Sequence, residues 1–181
     1  MKFILASTSP RRIDILKKWG FDFVAEPSSY KEEKFFCDAK RTAMANAYNK
    51  AFSVYKKHTD RTVVGADTVV AIDSKILGKP EDNDKLREML KLLSGRTHRV
   101  ITAIAVIKKE KIAVDFAETE VQFRKLTNSE IEAYIATNEG IDKAGGYAIQ
   151  GIASSFIERT DGPLDNVIGM PVALLRKLLK K

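Results

Sequence analysis

The stretch Phe3-Ile4-Leu5-Ala6-Ser7-Thr8-Ser9-Pro10-Arg11-Arg12 decides how the N-terminal part of the chain folds. An apolar run followed by three hydroxyl residues predicts a buried strand and a polar turn, and Ser9-Pro10 predicts the start of a helix. Backbone N–H groups without helical partners point out of such a helix start, which favours a bound anion. Arg11 and Arg12 in the first turn oppose the helix dipole, and a phosphate would offset that cost. An ordinary helix cap followed by solvated arginines is the alternative interpretation.

The composition is that of a soluble globular protein. The 181 residues are 44% hydrophobic and 30% charged, and this length allows one ample core, so we predict a single domain over residues 1–181. A single cysteine, Cys37, excludes an internal disulfide and a Cys-based zinc cluster, and it fits a reducing compartment. Because no apolar run could span a bilayer and no secretory signal is recognised, we expect a cytoplasmic protein without membrane contact.

The net charge of +7 is compatible with a nucleic-acid surface, a nucleotide substrate or a lysine-rich exterior. The basic residues are scattered in pairs such as Lys17-Lys18, Lys56-Lys57 and Lys180-Lys181. No dense basic tract is interleaved with aromatic residues, so we expect no stable nucleic-acid partner.

Strands and helices alternate along the rest of the chain and predict an α/β fold. Between Asp38 and Lys57 the alanines recur every fourth residue, which predicts a helix with a smooth face that lies close against a sheet. Residues 99–108 are apolar on both faces and predict a central strand, followed by a strand over 111–123 that is half exposed or borders the cleft. Further strands are predicted at 21–25, 62–72 and 154–157. Further helices are predicted after the turn at 78–82, ending at Gly95, and from near 128 and from 171.

Asp67 lies in the middle of the apolar stretch Thr62–Ile72. Such a carboxylate must be hydrogen-bonded, paired with a cation, or placed where the strand opens onto a site. The small pair Gly65-Ala66 indicates a close backbone approach, which we interpret as a cleft rather than the centre of a sheet.

Several catalytic signatures are missing from the sequence, including a Walker loop, a dinucleotide glycine fingerprint and a nucleophile elbow. His58 lies in a charged turn, so a Ser-His-Asp triad has little support. Cations could neutralise a polyphosphate, while carboxylates could hold a divalent metal or take a proton from water. The candidates, each of which could also be an ordinary surface or structural group, are Arg11, Arg12, Lys50, Lys79, Glu32 and Asp67.

Five ordered blocks resemble the motifs of the Maf family of nucleoside triphosphate pyrophosphatases. They are Leu5-Ala6-Ser7-x-Ser9-Pro10-Arg11-Arg12, Gly65-Ala66-Asp67-Thr68-Val69-Val70, Leu77-Gly78-Lys79-Pro80, Leu93-Ser94-Gly95-Arg96-Thr97-His98 and Lys143-Ala144-Gly145-Gly146-Tyr147-Ala148-Ile149-Gln150-Gly151. The resemblance implies a fold related to the inosine triphosphate pyrophosphatases, with an elongated mixed β-sheet, flanking helices and two lobes around a cleft. It also implies a homodimer that uses Mg²⁺ or Mn²⁺ to split a nucleoside triphosphate into the monophosphate and pyrophosphate.

The resemblance also implies a role for each matching residue. Asp67 would be the general base that activates water. The other implied roles are substrate choice for Arg11, Thr68 and Gln150, phosphate binding for Ser7, Arg12, Lys50 and Lys79, and metal binding for Glu32 and Asp67. Glu33 is an alternative to Glu32, because that alignment crosses a variable loop.

Gln150 connects the resemblance to a substrate. The Lys-Ala-Gly-x-Tyr-x-Ile-Gln-Gly block is similar to the family branch that acts on dTTP and UTP. A carboxamide has both a donor and an acceptor, so Gln150 can pair with the O4 and N3–H edge of thymine or uracil, whereas cytosine presents the reverse pattern. We therefore expect a dTTP/UTP pyrophosphatase, and the alternative is a nucleotide-binding regulatory protein of cell division and septum formation.

Overall fold

The computed structural model describes residues 2–32, 38–109 and 111–180. The strands are β1 (Phe3–Leu5), β2 (Phe23–Ala25), β3 (Val63–Ile72), β4 (Lys75–Leu77), β5 (Thr97–Lys108), β6 (Lys111–Phe123) and β7 (Ile157–Asp161). The α-helices are α1 (Pro10–Lys18), α2 (Ala39–Tyr55), α3 (Asn83–Leu93), α4 (Asn128–Ile135), α5 (Leu164–Ile168) and α6 (Val172–Leu179). Glu33 and Cys37 lie outside the described residues.

The strands form one seven-stranded sheet in the order β2-β1-β3-β5-β6-β7, with β4 also paired to β3. β1 is parallel to β2 and β3, and the remaining pairs are antiparallel. One face of β3 and β5 packs against α2, and the other packs against α1 and α6. A third apolar cluster joins the far end of the sheet to α3 and α4. This arrangement confirms the predicted mixed α/β fold, with β5 as a central strand.

One edge of β3 is interrupted beside Asp67. β1 pairs with β3 at Val63 and Val64, and β4 pairs with the same strand from Val70 to Ile72. Between these two ladders, residues 65–69 have no strand partner on that edge in the described part of the chain. On the opposite edge β5 pairs without a break. Asp67 therefore lies where an otherwise buried strand opens, which was one of the three explanations for a carboxylate at this position.

Gly65 marks a close contact between β3 and helix α2. A Cβ atom added at Gly65 would lie 2.2 Å from the carbonyl oxygen of Ala47 and 2.7 Å from the amide nitrogen of Ala51. The alanine face of α2 thus packs on the sheet as predicted. Our interpretation of Gly65-Ala66 as the cleft itself was wrong, because the close approach is made by a helix over an interior strand.

The segment after Gln150 differs from the sequence-based prediction. We predicted a strand over Ser154–Ile157, whereas residues Ile152–Phe156 form a 3₁₀ helix and β7 begins at Ile157. The carboxylate of Glu139 accepts hydrogen bonds from the amides of Ile152 (2.9 Å) and Ala153 (3.4 Å). A side chain remote in sequence therefore caps the first helical residues and overrides the local apolar pattern. Within the described residues, we find no helix with the length and apolarity needed to cross a membrane.

Candidate active site

A cavity of about 850 Å³ opens beside the interrupted edge of β3. All nine residues singled out in the sequence line it, although they come from distant parts of the chain. They are Ser7, Arg11, Arg12, Glu32, Lys50, Asp67, Thr68, Lys79 and Gln150. The structure therefore brings the predicted residues together at one site, while the role of each one stays a prediction.

The loop between β1 and α1 forms one wall of the cavity. Ser9 occupies the N-cap position of α1 and Pro10 the first helical position, as the sequence predicts. The Ser9 side chain makes no capping hydrogen bond; instead its amide donates to Ser7 Oγ at 3.2 Å. The start of α1 thus faces the cavity with its positive dipole end, which favours an anion at this wall.

Arg12 connects this wall to two other parts of the fold. Its Nη1 donates to Ser7 Oγ at 3.3 Å, its Nη2 to Thr68 Oγ1 at 3.2 Å, and its Nε to the carbonyl oxygen of Gly169 at 3.0 Å. A guanidinium has five N–H donors, so these three bonds leave two for a ligand. Arg12 can therefore hold the site together and still bind a phosphate.

Asp67 and Thr68 point to opposite faces of β3, because side chains alternate along a strand. Asp67 lies on the α2 side, where its two carboxylate oxygens accept hydrogen bonds from side chains of that helix. Thr68 lies on the α1 side, where its hydroxyl is 3.0 Å from Thr102 Oγ1. Both residues line the cavity beside the unpaired edge of β3. One ligand can therefore contact side chains from both faces of the sheet.

Lys50 lies between two carboxylates. Its Nζ is 2.6 Å from Asp67 Oδ1 and 2.5 Å from Glu32 Oε1. The lysine is 8% exposed and Asp67 is 4% exposed, so this pair is shielded from solvent, whereas Glu32 extends to the surface. One ammonium therefore faces two carboxylates, and the Arg12 guanidinium is near enough to attract both of them as well.

The electrostatic environment treats the two carboxylates differently. Burial raises the pKa of Asp67, and this outweighs the opposing effect of the nearby Lys50 ammonium. Burial also acts to raise the pKa of Glu32, but the attraction of Lys50, with smaller contributions from Lys79 and Arg12, holds it below its ordinary value. A carboxylate with a raised pKa is a better proton acceptor, which suits Asp67 to general-base chemistry.

Asn46 is a site residue that the sequence analysis missed. Its Nδ2 donates to Asp67 Oδ2 at 3.2 Å, and its Oδ1 accepts from the hydroxyl of Tyr30, also at 3.2 Å. The acceptor-only carboxylate of Asp67 determines which end of the carboxamide faces it. Asn46 precedes Lys50 by one helical turn, and this i, i+4 spacing is the signal that would have placed the two side chains together.

The donor set fits a divalent metal shared with a substrate. The oxygens of Glu32 and Asp67 already converge on a single cationic group. Among the described residues no three His, Cys, Asp or Glu side chains group to form a metal site. Mg²⁺ is commonly held by one or two carboxylates together with waters and substrate phosphates, and two carboxylates beside an anion-binding loop match that mode.

Three polar side chains of the cavity have no protein partner among the described residues. Within the described part of the chain, the side chains of Arg11, Lys79 and Gln150 make no hydrogen bond or ion pair with the protein. Beside them Tyr147 lines the cavity, and its hydroxyl lies 2.6 Å from Nε2 of the buried His98. Lys79 and Gln150 are exposed, so they remain available to a ligand.

This geometry defines an α/β protein with a cleft lined by cationic side chains and a buried carboxylate at the unpaired edge of β3. The family profile described as "Maf-like protein" matches residues 2–181. The chain belongs to the Maf family, as the five motif blocks predict.

Relatives that match along their whole length carry the name dTTP/UTP pyrophosphatase. The relative from Pyrococcus furiosus is 44% identical over 180 residues, covering 99% of this chain and 94% of its own. The relative from Thermoanaerobacter sp. is 44% identical over 184 residues, covering 100% and 96%. The relative from Bacillus cytotoxicus is 44% identical over 181 residues, covering 99% and 95%.

Among solved structures, the chain is similar to the Ham1 protein of Staphylococcus aureus. The two are 12% identical, with a TM-score of 0.46 that covers 68% of this chain and 72% of that one.

Proposed function

We propose that the protein is a nucleoside triphosphate pyrophosphatase that hydrolyses dTTP and UTP. The observation that carries this proposal is the buried Asp67 at the unpaired edge of β3, which is paired with Lys50 and lines one cavity together with the helix start at Ser9. The names of the relatives that match the whole chain support the reaction and the two substrates.

Asp67 performs the proton transfer in this reaction. Its carboxylate takes a proton from water while the water oxygen forms a bond to the α-phosphorus. The bond between the α-phosphorus and the oxygen that bridges to the β-phosphorus breaks, so pyrophosphate leaves and the monophosphate remains. Asn46 and Lys50 hold the two carboxylate oxygens, which orients Asp67 before the substrate arrives.

The cationic side chains neutralise the triphosphate. Ser7 and Arg12 bind phosphate oxygens at the α1 wall, and Lys79, which lines the same cavity, binds a further phosphate oxygen. Lys50 adds a buried positive charge beside the reacting carboxylate. Preorganised charges of this kind stabilise the negative charge that develops in phosphoryl transfer.

Glu32 and Asp67 hold a divalent metal, Mg²⁺ or Mn²⁺, in this proposal. When bound, the ion supplies positive charge that neutralises phosphate oxygens. The convergence of the two carboxylates on one cationic group supports this assignment.

Gln150 selects the base in this proposal. Gln150 presents a donor and an acceptor to the O4 and N3–H edge of thymine or uracil. Arg11 and Thr68 line the same cavity, and Thr68 is held by Arg12 and Thr102; this supports a role for both in fixing how Gln150 pairs with the base.

A panel of nucleotides tests the reaction. With Mg²⁺ or Mn²⁺, dTTP and UTP should give pyrophosphate and the monophosphate faster than dCTP, dATP and dGTP. Asp67→Asn should lower kcat by a factor of about 10²–10⁴, the usual contribution of a general base. Asp60→Asn changes an exposed carboxylate and should leave the rate unchanged. Release of orthophosphate, or full activity of the Asp67 variant, would refute the mechanism.

A regulatory protein that binds nucleotides without turnover is the less favoured alternative. Binding alone would not need a buried carboxylate held by two side chains of α2. The two proposals differ in one measurement, since a regulatory protein would bind dTTP in calorimetry and release no pyrophosphate over hours.

The proposal extends to a cytoplasmic homodimer without a stable nucleic-acid partner. Membership in the Maf family and the scattered basic residues support this part. Sedimentation equilibrium tests the dimer, and salt-sensitive binding to DNA that free nucleotide fails to displace would contradict the last point.

A further inference from the structure

Gln150 is positioned by its backbone alone. Its side chain is exposed and makes no hydrogen bond or ion pair within the described part of the chain. A carboxamide that reads a base must present its donor and acceptor at a defined place, because misplacement by about 1 Å is enough to lose most of a binding contribution. The contacts that hold residues 150–153 therefore decide what Gln150 can recognise.

Glu139 holds the backbone two and three residues after Gln150. Its Oε2 accepts from the amide of Ile152 at 2.9 Å, and its Oε1 from the amide of Ala153 at 3.4 Å. These residues are the first two of the 3₁₀ helix Ile152–Phe156, whose N-cap is Gly151. The carboxylate of Glu139 thus replaces the missing N-cap side chain, and it acts across the chain rather than from within the helix.

The carboxylate itself is held in place. Tyr134, which is 1% exposed, donates its hydroxyl to Glu139 Oε1 at 3.2 Å. A Cβ atom added at Gly151 would lie 2.3 Å from Oε1, so the main chain of Gly151 packs directly against the carboxylate. Only a residue without a side chain fits between Gln150 and Ile152 while Glu139 keeps this position.

We propose that Glu139 is a positioning residue for base selection, which acts through the amides of Ile152 and Ala153 to place the carboxamide of Gln150. This inference rests on the proposed function, because it concerns how the same site distinguishes thymine and uracil from cytosine. It assigns no contact between Glu139 and the substrate.

Steady-state kinetics with dTTP and dCTP tests the proposal. Glu139→Gln keeps the size of the side chain but loses its charge and one acceptor oxygen. The ratio of kcat/KM for dTTP to that for dCTP should fall about tenfold. The loss should lie in KM for dTTP, with kcat changed by less than about threefold, because Asp67 and the phosphate-binding wall are untouched.

A second variant removes the donor instead of the acceptor. Ile152→Pro deletes one amide that Glu139 binds, at the first helical position, where proline is tolerated, and the Ile152 side chain is 53% exposed. It should lower selectivity as Glu139→Gln does. If Glu139→Gln fails to fold, Ile152→Pro still tests whether this contact affects base selection.

The matched control is Glu132→Gln. Glu132 is a surface carboxylate of α4 that pairs with Arg87 away from the cavity, and its substitution should leave the selectivity ratio unchanged. In a Gln150→Ala background, Glu139→Gln should have no further effect on selectivity, since both changes act on one group. An additive double variant, or unchanged selectivity in Glu139→Gln and Ile152→Pro, would overturn the inference. An unmodified protein that does not hydrolyse dTTP would refute the proposed function instead.

Discussion

The ammonium of Lys50 lies 2.6 Å from Oδ1 of Asp67, so the carboxylate that we assign to water activation is bound by a lysine of α2. Asn46, one turn earlier on the same helix, binds the other carboxylate oxygen. The geometry of the reacting group is therefore set by how α2 packs on β3.

Replacing Lys50 by methionine should destabilise the protein. Asp67 would lose its buried cation and would face Glu32 without an intervening charge. Removing one partner of a buried ion pair typically costs about 3–5 kcal/mol of the free energy of unfolding, which chemical denaturation can measure. Lys57→Met, which removes a surface pair with Glu26, should cost less than about 1 kcal/mol.

The same variant tests the proposed metal position. If Glu32 and Asp67 share a cation, Mg²⁺ should raise the melting temperature of Lys50→Met more than that of the unmodified protein, because the ion replaces the lost ammonium. A melting temperature of the variant that does not respond to Mg²⁺ would show that these two carboxylates do not form the metal site.

Gly65→Ala should displace α2 outward from the sheet. The new methyl group would lie 2.2 Å from the carbonyl oxygen of Ala47, which is backbone and has to shift. We expect a loss of about 1–3 kcal/mol in the free energy of unfolding. We also expect kcat/KM for dTTP to fall about tenfold or more, because Lys50 and Asn46 move with the helix.

Ala66→Gly is the control for this effect, since Ala66 packs on the opposite face of the sheet. It should lower stability while leaving kcat/KM for dTTP near that of the unmodified protein. If Gly65→Ala and Ala66→Gly lowered kcat/KM equally, the activity would not depend on how α2 packs on the sheet.

Periodicity and motif order predict most of the fold and the membership of the site. The burial of each residue in α2 and β5 follows from its own position in a repeating apolar pattern. The local sequence was therefore sufficient to predict these two elements. The 3₁₀ helix at Ile152 was missed because its cap, Glu139, lies thirteen residues earlier. Asn46 was missed because its role depends on Asp67 in another element, and its i, i+4 spacing from Lys50 places the two side chains together without naming that partner.

Gln150→Glu should reduce selectivity without unfolding the protein. A carboxylate keeps the acceptor for N3–H but loses the donor that pairs with O4 of thymine. The ratio of kcat/KM for dTTP to that for dCTP should fall about tenfold, while the melting temperature changes little because Gln150 is exposed. Equal kinetics on all bases in the unmodified protein would remove the basis for this role.

Stability should fall in mild acid because of His98. Burial lowers the pKa of this histidine from 6.5 to about 4, and Tyr147, which contacts it, stays protonated because burial raises its pKa. The unfolded chain therefore binds the proton first as the pH drops, so the free energy of unfolding declines by about 3 kcal/mol between pH 6.5 and pH 4. His98→Gln, measured by urea denaturation across this range, should remove that part of the slope. Both proteins retain His58, and identical slopes would contradict the assignment.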